Sequence, residues 1–248
     1  MPNLNLSGSL NVLRLFANPA LCLPHHTVSS FDKIPVPLSE AFNTAKGEKK
    51  PDIRAIVLDK DNCFAVPHQN EIHPSNKSKF DELRKAYPGS RLLIVSNSSG
   101  TGADPGYKDA ELLEKNTGVT VLRHATKKPG CHVEIMDYFC SKPDCQVTKP
   151  EQVAIVGDRL FTDMLMANMM GAHSVWVRGG VVEDRNIVSQ IHLTTALRRS
   201  ATVLPTVDHL ERRNFTSRCT EHTADDTAAR SLRETPLHLP ARPRLYGS

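Results

Sequence analysis

The chain has 248 residues, a formal net charge of +4, 39% hydrophobic residues and 17 prolines. That length suits one large domain or an ordinary domain with extensions, and the modest apolar share points to a compact middle with looser ends. The small positive charge, with no Lys/Arg block, excludes a nucleic-acid binder of the usual kind and leaves a mild preference for anionic partners. No apolar run reaches the roughly 20 residues that span a bilayer, and six scattered cysteines read as buried thiols rather than a disulfide framework.

Residues Met1 to Ser30 contain no Asp or Glu and one strong base, Arg14. Leu6, Leu10, Leu13, Phe16 and Ala20 recur near helical spacing, and Pro19 and Pro24 limit a helix to about Leu6–Asn18. Two readings stay open. One is a segment lying in a membrane interface, itself a mitochondrial address or following one; the other is a helix packed on the core. Pro35 to Pro51 reads as a polar linker, so residues 1–50 are expected to stand apart from a domain spanning 51–197.

Ala55 to Leu58 form a short apolar run of the buried parallel-strand kind, ended by Asp59 and Asp61. Asn62 to Pro74 is rich in turn formers and reads as a flap. A helix is expected over Lys79 to Tyr87, capped by Asn76 or Ser78, then a strand over Arg91 to Val95 that ends in Ser96-Asn97-Ser98-Ser99-Gly100. A helix over Asp109 to Asn116 closes at Gly118, and Val119 to Leu122 is a third strand. Lys127-Lys128-Pro129-Gly130 leads into a helix over Cys131 to Cys140. Val153 to Val156 is a fourth strand, ending in Gly157-Asp158; Thr162 to Met170 is a helix, and Ser174 to Val177 a fifth strand. This alternation predicts an α/β fold, a doubly wound parallel sheet. Ile187 to Leu197 is read as one more helix, and residues 198–248, rich in Thr, Arg and Pro, as a disordered tail.

In such sheets the carboxyl ends of the strands face the ligand crevice. Asp59, Asp61, Ser96, Asn97, Lys128 and Asp158 all fall at or just beyond those ends, with Asp163 in the following helix. Two acids so close demand a raised pKa or a cation, and Mg²⁺ suits carboxylate and carbonyl oxygens. The Ser96 hydroxyl and the N–H groups of Asn97 and Ser98 can hold phosphate oxygens, and the Lys128 ammonium can neutralise them. Each piece alone is commonplace: an Asp-x-Asp is usually a turn, and a Lys-Pro a helix start. Their joint order is what points to phosphoryl chemistry.

Asp59-Lys60-Asp61-Asn62, Ser96-Asn97, Lys128-Pro129 and Gly157-Asp158-Arg159-Leu160-Phe161-Thr162-Asp163 together resemble the four motifs of the haloacid dehalogenase-like superfamily, over about Asp52 to Val182. The resemblance implies that Asp59 is the nucleophile and Asp61 the acid and base. It further implies that Mg²⁺ is held by Asp59, the Asp61 carbonyl and Asp158. Ser96, Asn97 and Lys128 then bind substrate, while Asp163 stands behind the acids or orients Lys128. Neither the stretch from Asp61 to Ser96 nor that from Asn97 to Lys128 has room for a cap domain.

With Asn11–Pro24 and the run through Met169-Met170-Gly171 added, the chain resembles the mitochondrial phosphatidylglycerophosphatase family of fungi and plants. That implies a phospholipid substrate on the path to cardiolipin, and peripheral contact with an anionic membrane at the matrix face of the mitochondrial inner membrane. Two other readings remain: a capless phosphatase acting on phosphoprotein or nucleotide, and a lipid-binding module without catalysis.

Overall fold

The computed structural model describes residues 18–42 and 49–182. Six strands form one sheet: β1 (His26–Val28), β2 (Ala55–Leu58), β3 (Leu92–Ile94), β4 (Thr120–Val121), β5 (Val153–Gly157) and β6 (His173–Val177). Their order is β1-β6-β5-β2-β3-β4, and every pairing is parallel. Helices α1 (Lys77–Ala86), α2 (Lys108–Thr117), α3 (His132–Cys140) and α4 (Leu165–Met170) connect them.

The sheet is apolar on both faces, because alternate residues of each central strand point into one of two cores. Ile56, Leu58, Leu92, Ile94, Ala154 and Val156 pack toward Phe80 and Leu83 of α1 and Ala110 and Leu113 of α2. Ala55, Val57, Leu93, Val153 and Ile155 pack toward Ile135, Met136 and Phe139 of α3 and Met166, Ala167 and Met170 of α4. Helices on both faces make the sheet doubly wound, as the strand and helix alternation predicts. Only α1 and its flanking turns lie between β2 and β3, and only α2 with its turns between β3 and β4, so no cap domain interrupts the core. Gly118 ends α2 in the left-handed conformation, φ 68°, with its N–H on the Glu114 carbonyl, the ending that only a residue without Cβ adopts cheaply.

Two local differences from the sequence reading bear on the site. Residues 18–42, expected to stand outside the domain, are packed onto it. His26–Val28 pairs with Val175–Val177 as the edge strand, and Phe31, Ile34 and Leu38 are each at most 1% exposed. Leu38 even donates its N–H to the Tyr87 hydroxyl at 2.9 Å. The stretch read as the start of a regular helix at Thr162 is instead a π-helical turn over Leu160–Met164 that runs into α4. The remaining expectations for the proposed Leu6–Asn18 helix (apart from Asn18, which precedes a 3-10 turn at Pro19–Cys22), for Ile187 to Leu197 and for the 198–248 tail lie outside the described residues. Among the described residues, no helix is long and apolar enough to cross a membrane.

Candidate active site

From β2 the chain runs outward through β3 to β4, then returns to the other side of β2 for β5 and β6; β1, the first strand, lies at the far edge beside β6. The direction of winding therefore reverses between β2 and β5, and the carboxyl ends of those two strands flank a crevice of the kind that binds ligands in open α/β sheets. Asp59 follows β2 and Asp158 follows β5. The Asp59 N–H donates to the Val156 carbonyl at 2.9 Å, which carries the sheet ladder one residue into the site and fixes where Asp59 begins.

The ammonium of Lys128 lies between two carboxylates, bonded to Asp59 Oδ1 and, at 2.7 Å, to Asp163 Oδ1. Lys128 itself is held by its main chain, whose N–H donates to Asn97 Oδ1 at 2.7 Å. Asp163 reaches the centre because the π-helical turn adds a residue to the helical rise, so that the Asp163 and Met164 N–H groups both point at the Arg159 carbonyl. Its second oxygen accepts the Arg159 N–H at 3.1 Å. A Cβ on Gly157 would stand 2.4 Å from the Asp163 carboxyl carbon, so the end of β5 has to be glycine for Asp163 to come this close.

Asp59, Asp158 and Asp163 each offer an oxygen within 4.8 Å of the others. Three buried carboxylates face one ammonium. Burial first, and then the charges of Asp59 and Asp163, push Asp158 up to about 8. Burial likewise pushes Asp59 up to about 6 against the pull of Lys128. Lys128 goes the other way: burial works against its charged form, but Asp163 and Asp59 more than offset it and hold the ammonium firmly protonated. Asp158 Oδ1 is buried with no hydrogen-bond partner, and its other oxygen accepts only a long bond from Asn62 Nδ2, 3.3 Å. An orphaned carboxylate oxygen beside two further acids fits a hard divalent cation. Asp59 and Asp158 are the donors best placed to hold one, since both Asp163 oxygens are already engaged.

Asp61 faces a different set of partners. Its Oδ2 accepts the Ser98 hydroxyl at 2.6 Å and lies 3.3 Å from Ser96 Oγ. Its Oδ1 accepts the His68 N–H at 2.8 Å and pairs with Lys60 Nζ at 3.0 Å. Burial works to raise the Asp61 pKa, but the Ser98 hydroxyl, Lys60 and the His68 N–H outweigh it and hold the carboxyl below the usual range. The Ser96 hydroxyl is enclosed and accepts the N–H groups of Ser98 and Ser99, which closes the turn after β3. All seven residues singled out in the sequence thus lie around one crevice. Asn97 directs its amide oxygen to Lys128, and Asp163 sits among the acids rather than behind them.

Other residues of the site carry no clear sequence signal. Lys60 is 1% exposed, and its ammonium holds the flap through the Gln69 carbonyl and Asn70 Oδ1, both at 3.3 Å; a base between two acids is its only hint. The His124 ring bridges the Ser96 carbonyl at 3.0 Å and the Thr126 carbonyl at 2.7 Å, joining the turn after β3 to the loop that carries Lys128. Asn62, at φ 60°, accepts the Val182 N–H on its side chain at 2.8 Å and the Val181 N–H on its carbonyl at 3.2 Å.

The sequence model of a family described as mitochondrial PGP phosphatase matches residues 6–182. The chain belongs to that family. It is 48% identical, over 75% of its own length and 94% of the relative's, to "Phosphatidylglycerophosphatase GEP4, mitochondrial" of Saccharomyces cerevisiae. It is 32% identical, over 76% of its length and 89% of the relative's, to "Probable phosphatidylglycerophosphatase, mitochondrial" of Schizosaccharomyces pombe. A match at 31% identity, over 71% of this chain and 60% of the relative, is to "Phosphatidylglycerophosphate phosphatase 1, chloroplastic" of Chlamydomonas reinhardtii. The family match includes β1 and the turns that precede β2, the part of the chain that the structure also packs into the domain.

Proposed function

We propose that this chain hydrolyses the terminal phosphate monoester of phosphatidylglycerophosphate, giving phosphatidylglycerol and inorganic phosphate on the path to cardiolipin. One observation carries the reading. The carboxylates of Asp59 and Asp158 converge with Lys128 at the reversal point of the sheet, in a chain that is 48% identical to a phosphatidylglycerophosphatase over 94% of that protein.

In this reading an Asp59 carboxylate oxygen attacks phosphorus in line. An oxygen–phosphorus bond forms, the bond to the glycerol oxygen breaks, and an aspartyl-phosphate results. Asp61 rests ionised, so the departing alkoxide takes a proton that the monoanionic phosphomonoester brings in and Asp61 relays. Asp61, held ionised by Ser98 and Lys60, is then the base that accepts a proton from water as the water attacks the aspartyl-phosphate, and that proton replaces the one the phosphate gave up. Lys128 neutralises phosphoryl oxygen charge and stays a cation throughout. Asp163 and Asn97 hold it in place. Asp59, Asp158 and the Asp61 carbonyl are the groups that would hold Mg²⁺, which when bound supplies further positive charge to the phosphoryl oxygens. Without a cap domain the crevice stays open to a headgroup presented at a membrane, which supports peripheral work at the matrix face of the mitochondrial inner membrane. The acid-free residues 1–30 fit the same place.

The test is phosphate release from short-chain phosphatidylglycerophosphate, a phosphopeptide panel and nucleotides, each with and without Mg²⁺. Release from the lipid alone, lost on chelation, is the expected result. Release from phosphopeptide or nucleotide in preference would replace the lipid reading. Binding to liposomes with no release from any substrate would leave only a binding module.

A further inference from the structure

The machinery above accounts for one phosphate, yet the proposed substrate carries two: the scissile monoester and, across a glycerol, a phosphodiester that must stay intact. We infer that the Arg159 guanidinium receives that phosphodiester and so sets the preference for a substrate with two phosphates. This rests on the phosphatidylglycerophosphatase reading.

The main chain of Arg159 is locked on both sides. Its N–H donates to Asp163 Oδ2 at 3.1 Å, and its carbonyl accepts the Asp163 N–H at 3.0 Å and the Met164 N–H at 3.3 Å. The residue directly before it is Asp158, whose carboxylate faces Asp59 across the crevice. Arg159 therefore leaves the backbone from a fixed point at the wall of the site.

Its side chain, in contrast, is held only by a long ion pair. It is 55% exposed, its nearest acid is Asp158 with Nε to Oδ1 at 3.9 Å, and the guanidinium makes no hydrogen bond among the described residues. A long, exposed side chain gains little from an ion pair at that distance. A guanidinium, planar and always charged, matches two oxygens of a phosphate better than a lysine does. The two buried ammonium groups of the crevice are committed: Lys128 to Asp59 and Asp163, and Lys60 to Asp61 and the flap. Arg159 is thus an exposed cation at the wall of the site, with hydrogen-bond donors available to a second phosphate of a bound substrate.

The experiment compares wild type, Arg159→Gln and Arg159→Lys in the presence of Mg²⁺. The substrates are short-chain phosphatidylglycerophosphate below its micellar concentration and p-nitrophenyl phosphate, which has one phosphate. One charged hydrogen-bonded contact corresponds to about tenfold. The preference for the lipid, as the ratio of kcat/KM values, should fall by about that factor in Arg159→Gln, chiefly through KM, and Arg159→Lys should recover part of it. Equal loss on both substrates, or an unchanged ratio, would overturn the assignment. A loss confined to substrate embedded in vesicles of anionic lipid would overturn it too, by giving Arg159 to neighbouring headgroups instead. If wild type does not prefer the lipid substrate at all, the functional reading fails and this one with it. A wild type with that preference, and a variant that keeps it, defeats only the role of Arg159.

Discussion

Replacing Asp59 by Asn keeps size and hydrogen-bonding capacity while removing the charge of the oxygen proposed to attack phosphorus. Phosphate release should fall at least about a thousandfold, with an unchanged circular dichroism spectrum; substantial remaining turnover would take the nucleophile role from Asp59. Lys128→Met is the opposite case, since it removes the only ammonium bonded to both Asp59 and Asp163 among the described residues. Leaving buried acids without a partner costs about 3–5 kcal/mol, so urea unfolding should show that loss, and Asp163→Asn in the same chain should restore part of it. Legibility at this scale followed the strand ends. Asp59, Ser96 and Asp158 could be read because an apolar run stops just before each. Lys60 and His124 could not, because their roles come from contacts with the flap and with distant carbonyls, Gln69 for one and Ser96 for the other. No local pattern encodes those.

At the scale of elements, the turn between β5 and α4 carries most of the site's geometry. Its sequence reads as the start of an ordinary helix because Leu160, Met164 and Leu165 are apolar at helical spacing, and nothing local marks the extra residue of the π-helical turn. The glycine before it is the tighter constraint. Gly157→Ala would press a methyl group onto Asp163 at 2.4 Å, and overpacking of this kind costs about 1–3 kcal/mol. Both the melting temperature and kcat should drop, because any shift of Asp163 strains its bonds to the Arg159 N–H and to Lys128. A variant with normal kcat would show that Asp163 is not needed where it stands. The strands β2, β3, β5 and β6 were plain from their apolar runs. The edge strand β1 was not, since His26-Thr27-Val28 has one apolar residue and gains its partner only from β6.

For the whole molecule, the domain begins earlier than its periodic core suggests. The sequence boundary at residue 51 followed the polar character of Pro35 to Pro51, but Phe31, Ile34 and Leu38 fill the core between that segment and α1. Phe31→Ala should destabilise by about 3–5 kcal/mol, measured by urea unfolding. A chain starting at residue 51 should fail to give a cooperative transition, and a chain starting at residue 18 should give one. The crevice also sets the response to pH. Asp59 and Asp158 are raised above the ordinary Asp value of 3.8, to about 6 and about 8. The folded protein without metal therefore keeps protons that the unfolded chain releases. Their contribution to stability is complete below 3.8 and is lost as pH climbs through about 6 and about 8. A divalent cation needs those same groups deprotonated. Mg²⁺ should then raise the melting temperature more at pH 8 than at pH 5, and a chelator should reverse the gain; equal shifts at both pH values would place the cation elsewhere.

Asn62 holds Val181 through its carbonyl and Val182 through its amide oxygen, while its amide nitrogen reaches Asp158. Val182 is thereby pinned one residue away from the Asp158 carboxylate, and it is 47% exposed there. A dye attached to a cysteine at that position would sit at the doorstep of the chemistry, and its emission would follow cation loading and product departure in real time without any label on the lipid.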